Sequence, residues 1–99
     1  MTDQGAKVNT RALALDFLLE TVEKGGYSHV VMRGMLEKYQ YLDKKERAFL
    51  TRLCEGTLER MLELDAIINR CSKVPVKKMK PVIRNLLRLS VYQLKYMDQ

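Results

Sequence analysis

Apolar residues recur at spacings of three and four along most of this chain, and no run alternates with period two for more than a few residues. The pattern predicts four helices, at about residues 10–24, 28–39, 44–71 and 79–97. In the first, Leu15, Leu18, Leu19 and Val22 share a face, Asn9 or Thr10 supplies the N-cap, and Gly25-Gly26 ends the helix. In the second, Ser28 is the expected cap and Val30, Val31, Met35 and Leu36 are offered to the core, with Gly34 weakening the helix. The third opens on Asp43 and Glu46, the spacing of a capping box. Leu50, Cys54, Thr57, Met61, Leu64 and Ile68 then step by four and three toward Cys71, so one long helix is the simplest reading. Gly56 is the position at which it could bend or admit a close neighbour. Pro75 makes residues 72–75 a connector, with a short extra turn over 76–79. Pro81 suits the first turn of a last helix with Ile83, Leu86, Leu87, Leu89, Leu94 and Met97 on its buried side. The expected architecture is an all-α, four-helix bundle forming a single domain over residues 1–99.

Composition adds little to that picture. A hydrophobic content of 46% suffices for one core. Neither the opening MTDQGAKVNT nor any later stretch has the apolar run of a signal peptide or membrane span, so a soluble, cytoplasmic protein without a membrane partner is expected. Cys54 and Cys71 would lie about 25 Å apart on one helix. They cannot bridge, and both are expected to be buried small hydrophobes in a reducing compartment.

Charge changes the picture more. The net +6 is confined to the C-terminal part. Residues 1–72 carry eleven basic and eleven acidic side chains, whereas Lys73, Lys77, Lys78, Lys80, Arg84, Arg88 and Lys95 face only Asp98. On a helix, Lys80, Arg84, Arg88 and Lys95 fall within about an 80° arc, away from the leucines. Cations without acids at i±4 point to an external polyanion, or to a solvated face, or to pairing with acids of another segment. Lys7 and Arg11 extend the candidate footprint, and a basic residue at a helix start opposes the macrodipole.

Catalytic candidates are scarce. His29 stands alone beside a helix start, there is no glycine-rich phosphate loop, and Cys54 and Cys71 lack metal-ligand spacing. Glu55, Glu59 and Glu63 read as a wet face with Arg52 and Arg60 to pair with. No catalytic residue, metal or cofactor is assigned to the chain.

Four ordered segments, NTRALALDFL, GGYSH, LDKKERAFLTRLCEGTLERMLELD and KKMKPVIRNLLRLSVYQLKYMD, resemble the NusB-like domain that opens the ribosomal RNA (cytosine-C5) methyltransferases of the RsmB/Sun/Fmu family. That domain is related to the transcription antitermination factor NusB. The resemblance runs from Asn9 to Asp98 and implies an all-helical fold with RNA contacts near the start of helix one. Arg11, followed by Ala12-Leu13-Ala14-Leu15, matches the arginine before a similar run in that factor; Val8-Asn9-Thr10 stand where the factor has further arginines. The S-adenosylmethionine fold and catalytic cysteines of such methyltransferases lie downstream of this domain, so the chain looks like an excised N-terminal piece. The expected role is an accessory domain that positions ribosomal RNA for methylation. Lys7, Arg11, Lys77, Lys78, Lys80, Arg84 and Arg88 are the expected RNA-binding residues. The alternatives are a module that docks through Val91 and Tyr92 onto its own methyltransferase domain or a ribosomal protein, and a free-standing antitermination factor.

Overall fold

Asn9 Oδ1 accepts the backbone N–H groups of Arg11 and Ala12 at 3.0 and 3.2 Å, which starts α1 (Thr10–Leu18). The computed structural model describes residues 9–97, and every regular element among them is helical. After α1 the chain widens into a π-helical segment, Leu19–Glu23, closed by the Lys24 N–H donating to Leu19 O at 3.1 Å. The wider turn shifts the register by a fraction of a turn and leaves Glu23 pointing toward the last helix. Gly25, at φ +80°, then reverses the chain, a conformation that costs a residue without Cβ little.

Helix α2 (Ser28–Lys38) is capped by Tyr27 without a side-chain bond, so Ser28 is its first residue and not its cap. Met32 is its buried residue; Val31, Met35, Leu36 and Tyr39 pack partly, and Val30 is exposed. The core-facing stripe runs through residues 32, 35, 36 and 39, and Val30 falls on the other side of the helix.

The capping box forms as expected: Glu46 N–H donates to Asp43 Oδ1 at 2.8 Å and Asp43 N–H to Glu46 Oε1 at 3.0 Å. The single long helix does not. Its span is divided into α3 (Lys44–Glu59) and α4 (Met61–Cys71) by Arg60, whose φ of −106° and ψ of 21° leave the helical region. The hydrophobic stripe continues across the break, but α3 packs on both α1 and the last helix while α4 packs mainly on the last helix. There are thus five α-helices among the described residues where four were expected. Cys54 is fully buried and its thiol is pushed up to about 12 by desolvation. Cys71, the last residue of α4, is exposed, contrary to expectation.

A short 3₁₀ turn, Val76–Lys78, occupies the connector, and Pro81 takes the first position of α5 (Pro81–Tyr92). A π-helical turn, Gln93–Met97, extends it. α5 crosses α1, α3 and α4 around a core that includes Leu13, Phe17, Leu18, Leu50, Leu53 and Leu89. Its inward residues are Asn85, Arg88, Leu89 and Tyr92; Ile83, Leu87 and Leu94, expected inside, face out. Tyr92, which the docking alternative placed at an outward interface, is buried against α3, where Gly56 makes room for it. A Cβ on Gly56 would lie 1.9 Å from the Tyr92 hydroxyl oxygen. No helix among the described residues is long and apolar enough to cross a membrane.

Gly56→Ala should therefore force α3 and α5 apart and lower unfolding stability by about 1–3 kcal/mol, since overpacking costs that much in a filled core. Urea melts of G56A, Tyr92→Ala and the double variant check it: the double variant should be markedly more stable than the summed single losses allow.

Candidate nucleic-acid interface

Two of the cations expected on an outward ridge are internal. Arg84 Nε donates to Glu23 Oε2 at 2.8 Å and its Nη2 donates to Glu23 Oε1, with 20% and 15% of the two side chains exposed. Arg88, only 7% exposed, donates from Nε and Nη2 to the two oxygens of Asp65 at 2.7 and 2.9 Å, and its Nη1 lies 3.9 Å from Glu23 Oε2. Asn85 links them, donating to Glu23 Oε2 at 2.9 Å and accepting from Arg88 Nη1 at 2.9 Å. Two carboxylates and two guanidiniums from the π segment, α4 and α5 thus form one neutral network. Arg88 in particular is corrected from a free surface cation to a buried structural one, and Arg84 from an outward cation to a paired, partly buried one. Their acids lie 23 and 61 residues away in sequence, outside any i±4 comparison. The Glu23 carboxyl is held down to about 2, first by the Arg84 hydrogen bonds and against the opposing effect of burial. The same bond raises Arg84.

Lys95 is also committed, to Glu63, which accepts the Tyr96 hydroxyl at 2.7 and 2.8 Å as well. Lys95 and then Tyr96 draw the Glu63 carboxyl down to about 2, and Lys95 is raised in return. Arg60 completes the cluster, with its guanidinium 4.4 Å from the Tyr96 ring centre.

What remains outward is the connector. Lys77, Lys78 and Lys80 are exposed, and none has an acidic partner within 4.0 Å among the described residues. Arg70 and Lys73 share both properties. Neither was among the expected site residues: Arg70 falls on the charge-balanced side of the sequence division, and Lys73 lies in the connector ahead of the helical arc. The segment that carries these cations is well anchored. Val76 is buried and its N–H donates to Asn69 Oδ1 at 2.8 Å; Val74 N–H donates to Ser72 Oγ at 3.1 Å. Arg84 Nη1 donates to the carbonyl oxygens of Met79 and Lys77 at 3.1 and 3.4 Å. Arg84 therefore braces the turn that presents the lysines.

Arg11 is exposed as expected, but its guanidinium is pinned to the far end of α5, donating to Gln93 Oε1 at 2.6 Å and Ser90 Oγ at 3.0 Å. It stands apart from the connector, on the last turns of that helix. Lys7 lies outside the described residues. Among those residues no group of three His, Cys, Asp or Glu side chains is placed to hold a metal ion.

The internal network makes acid stability a direct test. Glu23 ionises at 4.5 in an unconstrained chain and at about 2 in the fold, so its stabilisation is complete above 4.5 and is lost as pH falls toward 2. Glu63 titrates in the same window. Glu23→Gln should cost about 3 kcal/mol near neutral pH, because it leaves the partly buried Arg84 guanidinium without its carboxylate while Arg88 keeps Asp65, and should flatten part of the acid limb. Urea melts across that pH range measure both effects.

The chain is 31% identical over 93 residues to the probable ribosomal RNA small subunit methyltransferase B of Bacillus subtilis, covering 94% of this chain and 20% of that protein. It is 32% identical over 92 residues to the protein of the same description from Synechocystis, covering 93% of this chain and 20% of the relative. A ribosomal RNA small subunit methyltransferase B from Cronobacter sakazakii is 30% identical over 89 residues. The chain thus spans about a fifth of the length of these relatives. No solved structure matches it. Residues 8–99 match the NusB family model, and the chain belongs to the NusB family.

Proposed function

We propose that this domain binds structured RNA through phosphate contacts and holds ribosomal RNA for methylation by a catalytic unit outside these 99 residues. The observation that carries the reading is the anchored connector, on which Lys73, Lys77, Lys78 and Lys80 stand, with Arg70 at the end of α4 before them, none with an acidic partner within 4.0 Å among the described residues. Unneutralised cations on a rigid backbone bind a polyanion without first giving up ion pairs or ordering a loop. Arg84 serves indirectly, by fixing the carbonyls of Lys77 and Met79. Arg88 has no phosphate role, since exposing its guanidinium would break its bidentate pair with Asp65. Arg11 is a secondary contact that must leave Gln93 and Ser90 to engage RNA.

The methyl-transfer chemistry, with its S-adenosylmethionine, is assigned to the remainder of a longer polypeptide like those of the relatives, and this domain acts without catalysis of its own. Phosphate contacts position an RNA helix and do not read its sequence. Target choice therefore rests with the catalytic unit.

A fluorescent hairpin of small-subunit ribosomal RNA, titrated with the domain, provides the test. Affinity should fall steeply between about 50 and 200 mM salt, as expected when several phosphate charges are neutralised. Reversing Lys77, Lys78 and Lys80 together to Glu should weaken binding by at least about tenfold and reduce the salt slope by about two to three. Arg11→Ala should have a smaller effect. Binding that is indifferent to salt, or to the triple reversal, overturns the proposal.

A further inference from the structure

The outward side of α5 is apolar where a solvated helix would be charged. Ile83, Leu87 and Leu94 are 49%, 36% and 71% exposed, and with Ser90 they follow one another at i, i+4, i+7 and i+11. That spacing is the seam one helix offers to another. Beside it, Ile67, Ile68 and Cys71 of α4 and Leu87 and Val91 of α5 line a groove whose walls carry no acid, lysine or arginine. Single exposed leucines are ordinary, but an apolar row beside a groove marks a binding surface, here interrupted at Ser90, whose hydroxyl accepts from Arg11.

Charge identifies the occupant. Arg70 and Lys73, next in the chain to the groove residues Cys71 and Ser72, have no acidic partner among the described residues, whereas Lys95 at the other end of α5 is taken by Glu63. A second copy of this chain, itself at net +6, would bring like charge to the groove. An amphipathic helix with carboxylates on its flank would complement it.

We infer that the α4–α5 groove seats such an acidic-flanked amphipathic helix, supplied by the remainder of the longer polypeptide. The inference rests on the reading of this chain as one part of a larger protein, given that relatives matching it run to about five times its length. A helix tethered to the same chain reaches the stripe at high effective concentration, which a modest groove requires.

Cys71 supplies a built-in reporter, because it lines the groove and is exposed while Cys54 is fully buried. The rate at which a disulfide reagent labels Cys71 is measured in the 99-residue chain with and without a synthetic amphipathic peptide of about 18 residues carrying Leu at helical spacing and Glu flanks. Labelling should slow roughly tenfold when the peptide stands at ten times its Kd. A Lys-flanked peptide should protect far less, and Leu87→Asp, in the groove wall, should remove protection with helix content by circular dichroism unchanged. In the uninterrupted gene product Cys71 should be slow without added peptide. Equal protection by both peptides, protection by neither, or protection that grows with domain concentration alone overturns the inference. A longer gene product with fast Cys71 overturns the source of the helix; a gene product that ends at Gln99 overturns the longer-chain reading itself. Neither result touches RNA binding by the connector lysines, which is read separately by its salt dependence.

Discussion

Burying a guanidinium is costly unless its nitrogens find acceptors, and each of the three Arg88 nitrogens does so, on Asp65 and Asn85, while Glu23 lies alongside. The requirement fixes how the last helix is turned. Glu23 is delivered by the π segment after α1, Asp65 by α4, and Arg84, Asn85 and Arg88 by α5, so three elements must agree in position before any of the charges is satisfied. Such a network contributes little net stability over a well-packed apolar joint, yet removing one member is expensive. Its effect is on orientation. With Asn85 and Arg88 inward, Leu89 and Tyr92 follow on the same face, Tyr92 reaches the space left by Gly56, and Ile83, Leu87 and Leu94 are carried outward.

The same joint reaches into the connector. Arg84 spends one guanidinium nitrogen on the carbonyls of Lys77 and Met79 and the others on Glu23. A buried Val76 and the Asn69 side chain hold the turn from the other side. The lysines thus project from a backbone held from both sides, and within the basic C-terminal part they, not the paired cations of α5, carry the outward charge. Internal pairing and external charge are therefore complementary outcomes of one arrangement: the acids that could have quenched the connector are occupied elsewhere.

Local chemistry was legible in the sequence where the cause itself is local. The Asn9 cap, the Asp43/Glu46 box, Pro81 at the first turn, the extra turn before it and the space at Gly56 all depend on residues within a few positions or on the absence of a side chain. The azimuth of α5 was not, because period alone divides a helix into two arcs without saying which arc meets an acid from a distant segment. An arginine beside Leu89 reads as solvent-facing until Glu23 and Asp65 are placed before it. The break at Arg60 was hidden for a related reason: the hydrophobic stripe passes through it unbroken, since both halves pack on the last helix and only α3 also packs on α1. Cys71 shares the period of the buried stripe, yet lies at the end of α4 beyond the last covering residue.

Arg70 and Lys73 flank in sequence the groove residues Cys71 and Ser72 and precede the connector lysines, so they stand between the two proposed surfaces along the chain. Cations at such a border are shared in an energetic sense. A carboxylate seated next to them lowers the positive potential offered to a nearby phosphate, and a phosphate does the same to the carboxylate. The coupling is reciprocal and, with unlike ligands of the same sign, negative. It is also modest, because both side chains are exposed and salt screens them. Lys77, Lys78 and Lys80 lie further along the connector and escape most of it. A helix filling the groove would therefore trim nonspecific attraction to RNA at one edge while leaving the three lysines that are held most firmly, which narrows the surface on which an RNA helix can rest.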